Sequence, residues 1–129
     1  MRYLLDTHVL LWLAGDADRV AQRVRTELAD AAERRVSSAS AMEIALKTRL
    51  GKLPGGDGVI TGWDRIVRGF LATELPLTAA HMLHAGAMDW PHRDPFDRML
   101  LAQATIEGLV LVTQDRRITA YRGIQTLTW

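Results

Sequence analysis

Four carboxylates fall where an α/β chain could use them for chemistry. Asp6 directly follows the apolar run Tyr3-Leu4-Leu5, and Asp115 comes after Thr113-Gln114 at the end of Leu109-Val110-Leu111-Val112. Glu43 sits in the first turn of the helix expected after Val36-Ser37-Ser38. Asp97 opens the helix that feeds the Leu109 strand. In open parallel sheets, ligands bind beyond the carboxyl ends of the strands. If these three strands are neighbours, all four acids face one crevice. Carboxylates gathered there raise each other's pKa unless a cation is present. Oxygen ligands without Cys or His suit Mg²⁺ or Mn²⁺. Such ions activate water and stabilise a departing oxygen in phosphoryl hydrolysis.

Each acid also has an ordinary reading. Asp6 could end a strand in a polar turn. Ser40-Ala41-Met42-Glu43 matches the S-x-x-E capping box, in which Glu43 bonds back to the helix start. Asp94 fits an N-cap with Pro95 at the first helical position, which makes Asp97 an acid favoured by the helix dipole. Asp115 could cap a turn or helix over Arg116 to Tyr121. The joint placement, more than any single residue, points to a metal crevice.

The elements that must position these acids alternate. Strands are expected at Tyr3-Leu5, Val36-Ser38, Leu75-Leu77, Leu109-Val112 and Ile124-Leu127, the third an edge strand because Pro76 cannot donate to a ladder. A short helix ends near Gly15. Asp16 or Asp18 caps the next, which carries Val20, Ala21, Val24 and Leu28 at helical spacing. Further helices are expected from Ala41 to Leu50, around Trp63 to Phe70, over Ala79 to Ala87 behind Thr78, and from Pro95 to Gly108. Leu53 to Gly62 holds Pro54, Gly55, Gly56 and Gly58 and reads as a loop. Strands alternating with helices imply a parallel sheet covered on both faces.

Composition narrows the classes. The 129 residues carry 16 Lys+Arg against 15 Asp+Glu, a net charge of +1, which excludes bulk attraction to nucleic acid. With no Cys, disulfides, thiolate nucleophiles and Cys-ligated metals are excluded. No signal-peptide stretch precedes Asp6, and apolar runs such as Val9 to Leu13 fall far short of the ~20 residues a membrane span needs. A cytoplasmic location and no membrane partner are expected.

Leu4-Leu5-Asp6-Thr7, Glu43 in Ser40-Ala41-Met42-Glu43-Ile44, His92-Arg93-Asp94-Pro95-Phe96-Asp97-Arg98-Met99-Leu100 and Val112-Thr113-Gln114-Asp115 resemble the PIN domain. The likeness is to its VapC-type branch, the toxin ribonucleases of toxin–antitoxin pairs. It covers essentially the whole chain, so one PIN-like domain over residues 1–129 is expected, a three-layer α/β fold with a central, mostly parallel sheet. The resemblance implies an endoribonuclease dependent on Mg²⁺ or Mn²⁺, cutting RNA by metal-activated water to leave 5′-phosphate and 3′-hydroxyl ends. It makes Asp6, Glu43, Asp97 and Asp115 the catalytic and metal-binding quartet, supported by Thr7, Thr113 and Asp94. It also implies a cognate antitoxin and a homodimer. Arg93, Arg98, Arg116 and Arg117 are candidates to hold the RNA backbone.

Two rivals stand beside this reading. One is a PIN-like module that binds RNA or protein without catalysis. The other is a receiver-type phospho-acceptor domain, which would need a lysine after a late strand, whereas Lys47 and Lys52 lie on or after a helix. His8, His81 and His84 read as structural or surface residues, while His92, just before the Asp97 helix, could approach a phosphate. Trp12 and Trp63 read as packing residues. The first two helices and the Trp63 helix could form a groove for a partner's amphipathic segment.

Overall fold

The run Tyr3-Leu4-Leu5 is buried residue by residue, as is Val110-Leu111-Val112, so both strands are covered on both faces. In the computed structural model, which describes residues 1–129, they belong to a five-stranded sheet. Its strands are β1 (Arg2–Leu5), β2 (Glu33–Ser37), β3 (Thr73–Leu75), β4 (Val110–Val112) and β5 (Thr126–Leu127), ordered β3-β2-β1-β4-β5. Every pairing is parallel.

Eight α-helices flank it: α1 (Thr7–Gly15), α2 (Gln22–Ala29), α3 (Ser38–Arg49), α4 (Gly56–Thr61), α5 (Trp63–Gly69), α6 (Ala79–Ala87), α7 (Pro95–Glu107) and α8 (Arg116–Thr119). Strand alternation divides the core. Tyr3, Leu5, Val110 and Val112 point to one side, with Val9, Leu10, Val24, Leu28 and Val67 from α1, α2 and α5. Leu4 and Leu111 point to the other, with Leu100, Leu101 and Ala104 from α7. This is the three-layer arrangement expected from the sequence. No helix is long and apolar enough to cross a membrane.

The register decides where the chemistry sits. Leu5 pairs with Val36 on one side and Val112 on the other, so the carboxyl ends of β1, β2 and β4 finish level. The chain proceeds from β1 outward to β2 and β3, then returns to place β4 on the opposite side of β1. That reversal opens a crevice between the β1 and β4 ends.

Several expectations shift. The stretch from Leu53 to Gly62 is not all loop, because α4 occupies Gly56–Thr61. Its first glycine serves packing: a Cβ on Gly56 would lie 1.9 Å from the Thr48 hydroxyl on α3, so close helix contact requires glycine there. Helix α3 starts at Ser38 rather than near Ala41. Its N-cap is Ser37, whose hydroxyl accepts from Ala39 N, so Glu43 belongs to the second turn and closes no capping box. Strand β3 ends at Leu75, before Pro76. The aspartates ahead of α2 start only a 3₁₀ turn over Ala17–Arg19, without a side-chain cap bond. In contrast, Asp94 caps α7 with Pro95 in its first turn, and Gly108 closes that helix at φ +66°.

Candidate active site

A cavity of about 280 Å³ lies beyond the carboxyl ends of β1 and β4. Asp6, Glu43, Asp94, Asp97 and Asp115 all line it, with Thr7, His8, Lys47, Lys52 and Arg117. The four expected acids, spread from residue 6 to residue 115, are therefore brought to one place. Asp6, Glu43 and Asp97 are only 3%, 5% and 7% exposed.

Asp6 is held from three directions. It caps α1, its Oδ1 accepting from Thr7 N at 2.7 Å, while the Thr113 hydroxyl donates to Oδ2 at 2.6 Å. His8 Nδ1 stands 3.4 Å from the same oxygen. Because His8 Nε2 accepts from Gln114 N at 3.1 Å, the ring proton belongs on Nδ1, facing Asp6. The Thr113 hydroxyl also accepts from Asp115 N at 3.0 Å, joining the loops that carry two of the acids. Burial nevertheless leaves the Asp6 pKa above the ordinary carboxylate range, with the charge of Glu43 adding to the rise.

The opposite wall comes from α3 and α7. Glu43 Oε2 accepts from Lys47 Nζ at 2.7 Å, one helical turn on, but its buried Oε1 has no partner. The hydroxyls of Thr7 and Ser40 meet at 2.8 Å and tie α1 to α3. Asp97 Oδ2 lies 2.6 Å from His92 Nε2. Burial pushes the Asp97 pKa up to about 6 despite that bond, and the charges of Asp94, Asp6 and Asp115 push the same way. Asp94 spends Oδ1 on the cap, accepting from Phe96 N at 2.8 Å and Asp97 N at 3.2 Å.

Asp115 differs. Burial pushes it up, but the side-chain and backbone N–H groups of Arg117 together outweigh burial and hold its pKa low. The remaining arginines separate. Arg117 lines the cavity and Arg116 is exposed beside it, whereas Arg93 lies on another surface near Pro95 and Met99. Arg98 departs from its expected role of gripping RNA. Its guanidinium donates to the carbonyls of Ala85, Met88, Trp90 and His92, so it clamps the turn before α7.

Sequence reasoning assigns neither lysine to the site. In a chain with sixteen basic residues, its two lysines, Lys47 and Lys52, both line the acidic cavity. The legible signal was the i,i+4 spacing of Glu43 and Lys47. His92 meets an acid directly, a contact its position before α7 only hinted at.

Comparison with known proteins follows this geometry. A family model described as PIN domain matches residues 3–124. Ribonuclease VapC22 from Mycobacterium tuberculosis (strain ATCC 25618 / H37Rv) is 26% identical over 125 residues, covering 97% of this chain and 95% of that protein. Among solved structures, VapBC2 from Rickettsia felis bound to a DNA fragment from their promoter superposes with a TM-score of 0.73 at 14% identity, covering 100% of this chain and 99% of that one. DNA-bound VapBC from Salmonella typhimurium gives 0.69 at 20% identity, covering 100% and 98%. At these identities the two structures share the fold.

Proposed function

The chain belongs to the PIN domain family, and we propose that it is a VapC-type toxin, an endoribonuclease dependent on Mg²⁺ or Mn²⁺. The observation that carries this reading is the convergence of Asp6, Glu43, Asp97 and Asp115 on one cavity. The donor set fits a divalent cation. It is rich in carboxylate oxygen, Asp6 and Asp97 are charged only against the penalty of burial, and Glu43 Oε1 is buried without a donor. Those four residues would hold the ion. When bound, it lowers the pKa of water and offsets charge on phosphate oxygens.

The chain's own groups do the positioning. Thr113 and the Thr7 amide fix both oxygens of Asp6, and His92 fixes Asp97. Lys52 and Arg117 face the cavity and supply positive charge for the RNA backbone, with exposed Arg116 nearby. A chain of net charge +1 can thus still offer RNA a cationic rim, because five of its fifteen acids lie inside the crevice. The products are expected to carry 5′-phosphate and 3′-hydroxyl ends.

The proposed protein partner is a cognate antitoxin. An apolar groove of about 390 Å³ runs between α1, α2 and the end of α5, lined by Leu13, Leu28, Phe70 and Leu71. It suits one face of an amphipathic antitoxin segment.

Incubating the purified chain with structured RNAs in Mg²⁺, Mn²⁺ or EDTA tests the nuclease reading. Cleavage is expected with either metal and none with EDTA or in Asp6→Asn. Equal cleavage by wild type and Asp6→Asn, or cleavage in EDTA, overturns it.

A further inference from the structure

Two carboxylates of the cavity and a histidine beside it come from one short stretch. His92, Asp94 and Asp97 lie on the turn into α7 and its first turn, and their ligand atoms are all within 4.8 Å of one another. Donors around one small divalent ion, each about 2.1 Å from it, stand at most ~4.2 Å apart. A few tenths of an ångström of side-chain adjustment closes the difference.

His8 lines the cavity itself, whereas His92 stands just outside its lining, beside Asp94 and Asp97. His8 already uses Nε2 to accept from Gln114 N. His81 is buried, with Nδ1 accepting from Thr78 N and Nε2 bonded to Glu107. His84 lies on α6 and is not grouped with the acids, as His92 is. His92 instead points Nε2 at Asp97, and moving its proton to Nδ1 leaves the Nε2 lone pair facing the acids.

Its placement is rigid. The ring packs edge-on against Trp90 at 4.7 Å, and Arg98 holds the His92 and Trp90 carbonyls from α7. Helix α7 therefore carries two acids and clamps the turn that presents the imidazole.

An independent observation points to a cation in the same cavity. Glu43 Oε1, on a different helix, is buried and unpartnered, and Glu43 lines the cavity together with Asp94 and Asp97. Lys47, bonded to Glu43, feels the charges of Asp94 and Asp97, which places the two walls close together.

Building on the metal-dependent reading above, we infer that His92, with Asp94 and Asp97, forms a mixed nitrogen–oxygen ligand set that makes this cavity select Mn²⁺ over Mg²⁺. Mg²⁺ is hard, prefers oxygen and sheds water reluctantly, so an imidazole adds little to its binding. Mn²⁺ accepts imidazole more readily, and later first-row dications such as Zn²⁺ more readily still.

Calorimetric titration of the full chain with MnCl₂ or MgCl₂, without RNA, tests this. His92→Gln is expected to weaken Mn²⁺ binding by about tenfold or more and Mg²⁺ binding by less than about threefold. No change in Mn²⁺ affinity, or equal losses for both metals, overturns the assignment; equal losses would reduce His92 to a support for Asp97. Because His92→Gln could disturb the Trp90 packing, the wild-type chain supplies a second readout. Zn²⁺ is expected to shift the His92 Nε2 nitrogen resonance into the range of a metal-bound imidazole, and an unshifted resonance overturns the assignment. Asp97→Asn separates the two levels. If it binds both metals as wild type does, the cavity is not the metal centre and the underlying reading fails; if it loses both while His92→Gln retains wild-type preference, only the histidine assignment fails.

Discussion

The chain carries two concavities of opposite chemistry. The cavity beyond β1 and β4 is lined by five carboxylates. The groove between α1, α2 and the end of α5 is lined mainly by apolar side chains. The cavity holds charge that burial penalises, and the groove holds apolar surface that water penalises. Their cations differ as well. Lys47 and Arg117 are bound to carboxylates, while Arg34 in the groove is bound to backbone carbonyls, donating to Phe70 O at 2.9 Å and Leu28 O at 2.6 Å. Arg34 thus builds the groove wall, as Arg98 builds the turn before α7. Leu71 sharpens the contrast, being 77% exposed at φ +51°, a conformation that costs a leucine about 1 kcal/mol or more. On the proposed function, each place is completed from outside the chain, one by a cation and the other by a protein.

Removing a charge from the cavity gives the largest expected effect. Asp97→Asn is expected to lower RNA cleavage at least about a hundredfold, because several kcal/mol of charge stabilisation depend on the ion it helps hold. The same change is expected to raise the melting temperature of the metal-free chain at pH 7.5. The folded pKa of Asp97 is about 6, above its ordinary value, so the folded state binds the proton more tightly than the unfolded state. That contribution is fully present at pH below the unfolded value near 3.8 and is lost as pH rises through about 6. The advantage of Asp97→Asn over wild type should therefore shrink as pH falls from 7.5 toward 4. A constant difference across that range would remove the electrostatic explanation.

The groove should respond in the other assay alone. Leu71→Asp is expected to weaken antitoxin binding by about thirtyfold, the size of a typical hot spot, and to leave cleavage by the free chain within about twofold. Loss of cleavage in this variant would show that the two places are coupled. Gln103→Leu tests the frame beneath the cavity. Gln103 Oε1 accepts from the Ser37 hydroxyl at 2.5 Å and its Nε2 donates to Leu75 O at 3.2 Å, tying α7 to β2 and β3. Chemical denaturation should register a loss of about 1–3 kcal/mol from those buried partners. The smallest effect is expected for Leu71→Gly, a gain of about 0.5 kcal/mol as relief of the positive φ outweighs added freedom in the unfolded chain. A loss instead would mean that Leu71 packs more than its exposure indicates.

Much of the fold was legible because its signals are short-range. The apolar runs at Tyr3-Leu5 and Leu109-Val112 need no partner to be read as covered strands. Asp94-Pro95 and Gly108 bracket α7 through capping chemistry contained within a few residues. Helix α4 escaped notice because its glycines were judged by propensity, whereas close packing of Gly56 on Thr48 overrides propensity. Glu43 lines the cavity, and the capping box that Ser40-Ala41-Met42-Glu43 spells does not form, since Ser37 rather than Ser40 ends up at the helix start. Arg98 reads as a phosphate-binding candidate because a guanidinium looks alike in sequence whether it meets phosphate or, as in this fold, carbonyls.

The sequence alone determined the alternation of strands and helices and the appearance of an acid just after β1 and β4 or early in α3 and α7. Those properties follow from periodicity and capping within a turn or two of chain. Tertiary structure decided the rest. The order β3-β2-β1-β4-β5 brings Thr113 onto Asp6 across more than a hundred residues, sets Glu43 on the same cavity as Asp97, and turns both lysines toward the acids. Burial and charge depend on the sum of everything nearby in space, so the raised pKa of Asp97 and the partnerless oxygen of Glu43 exist only once the sheet has closed.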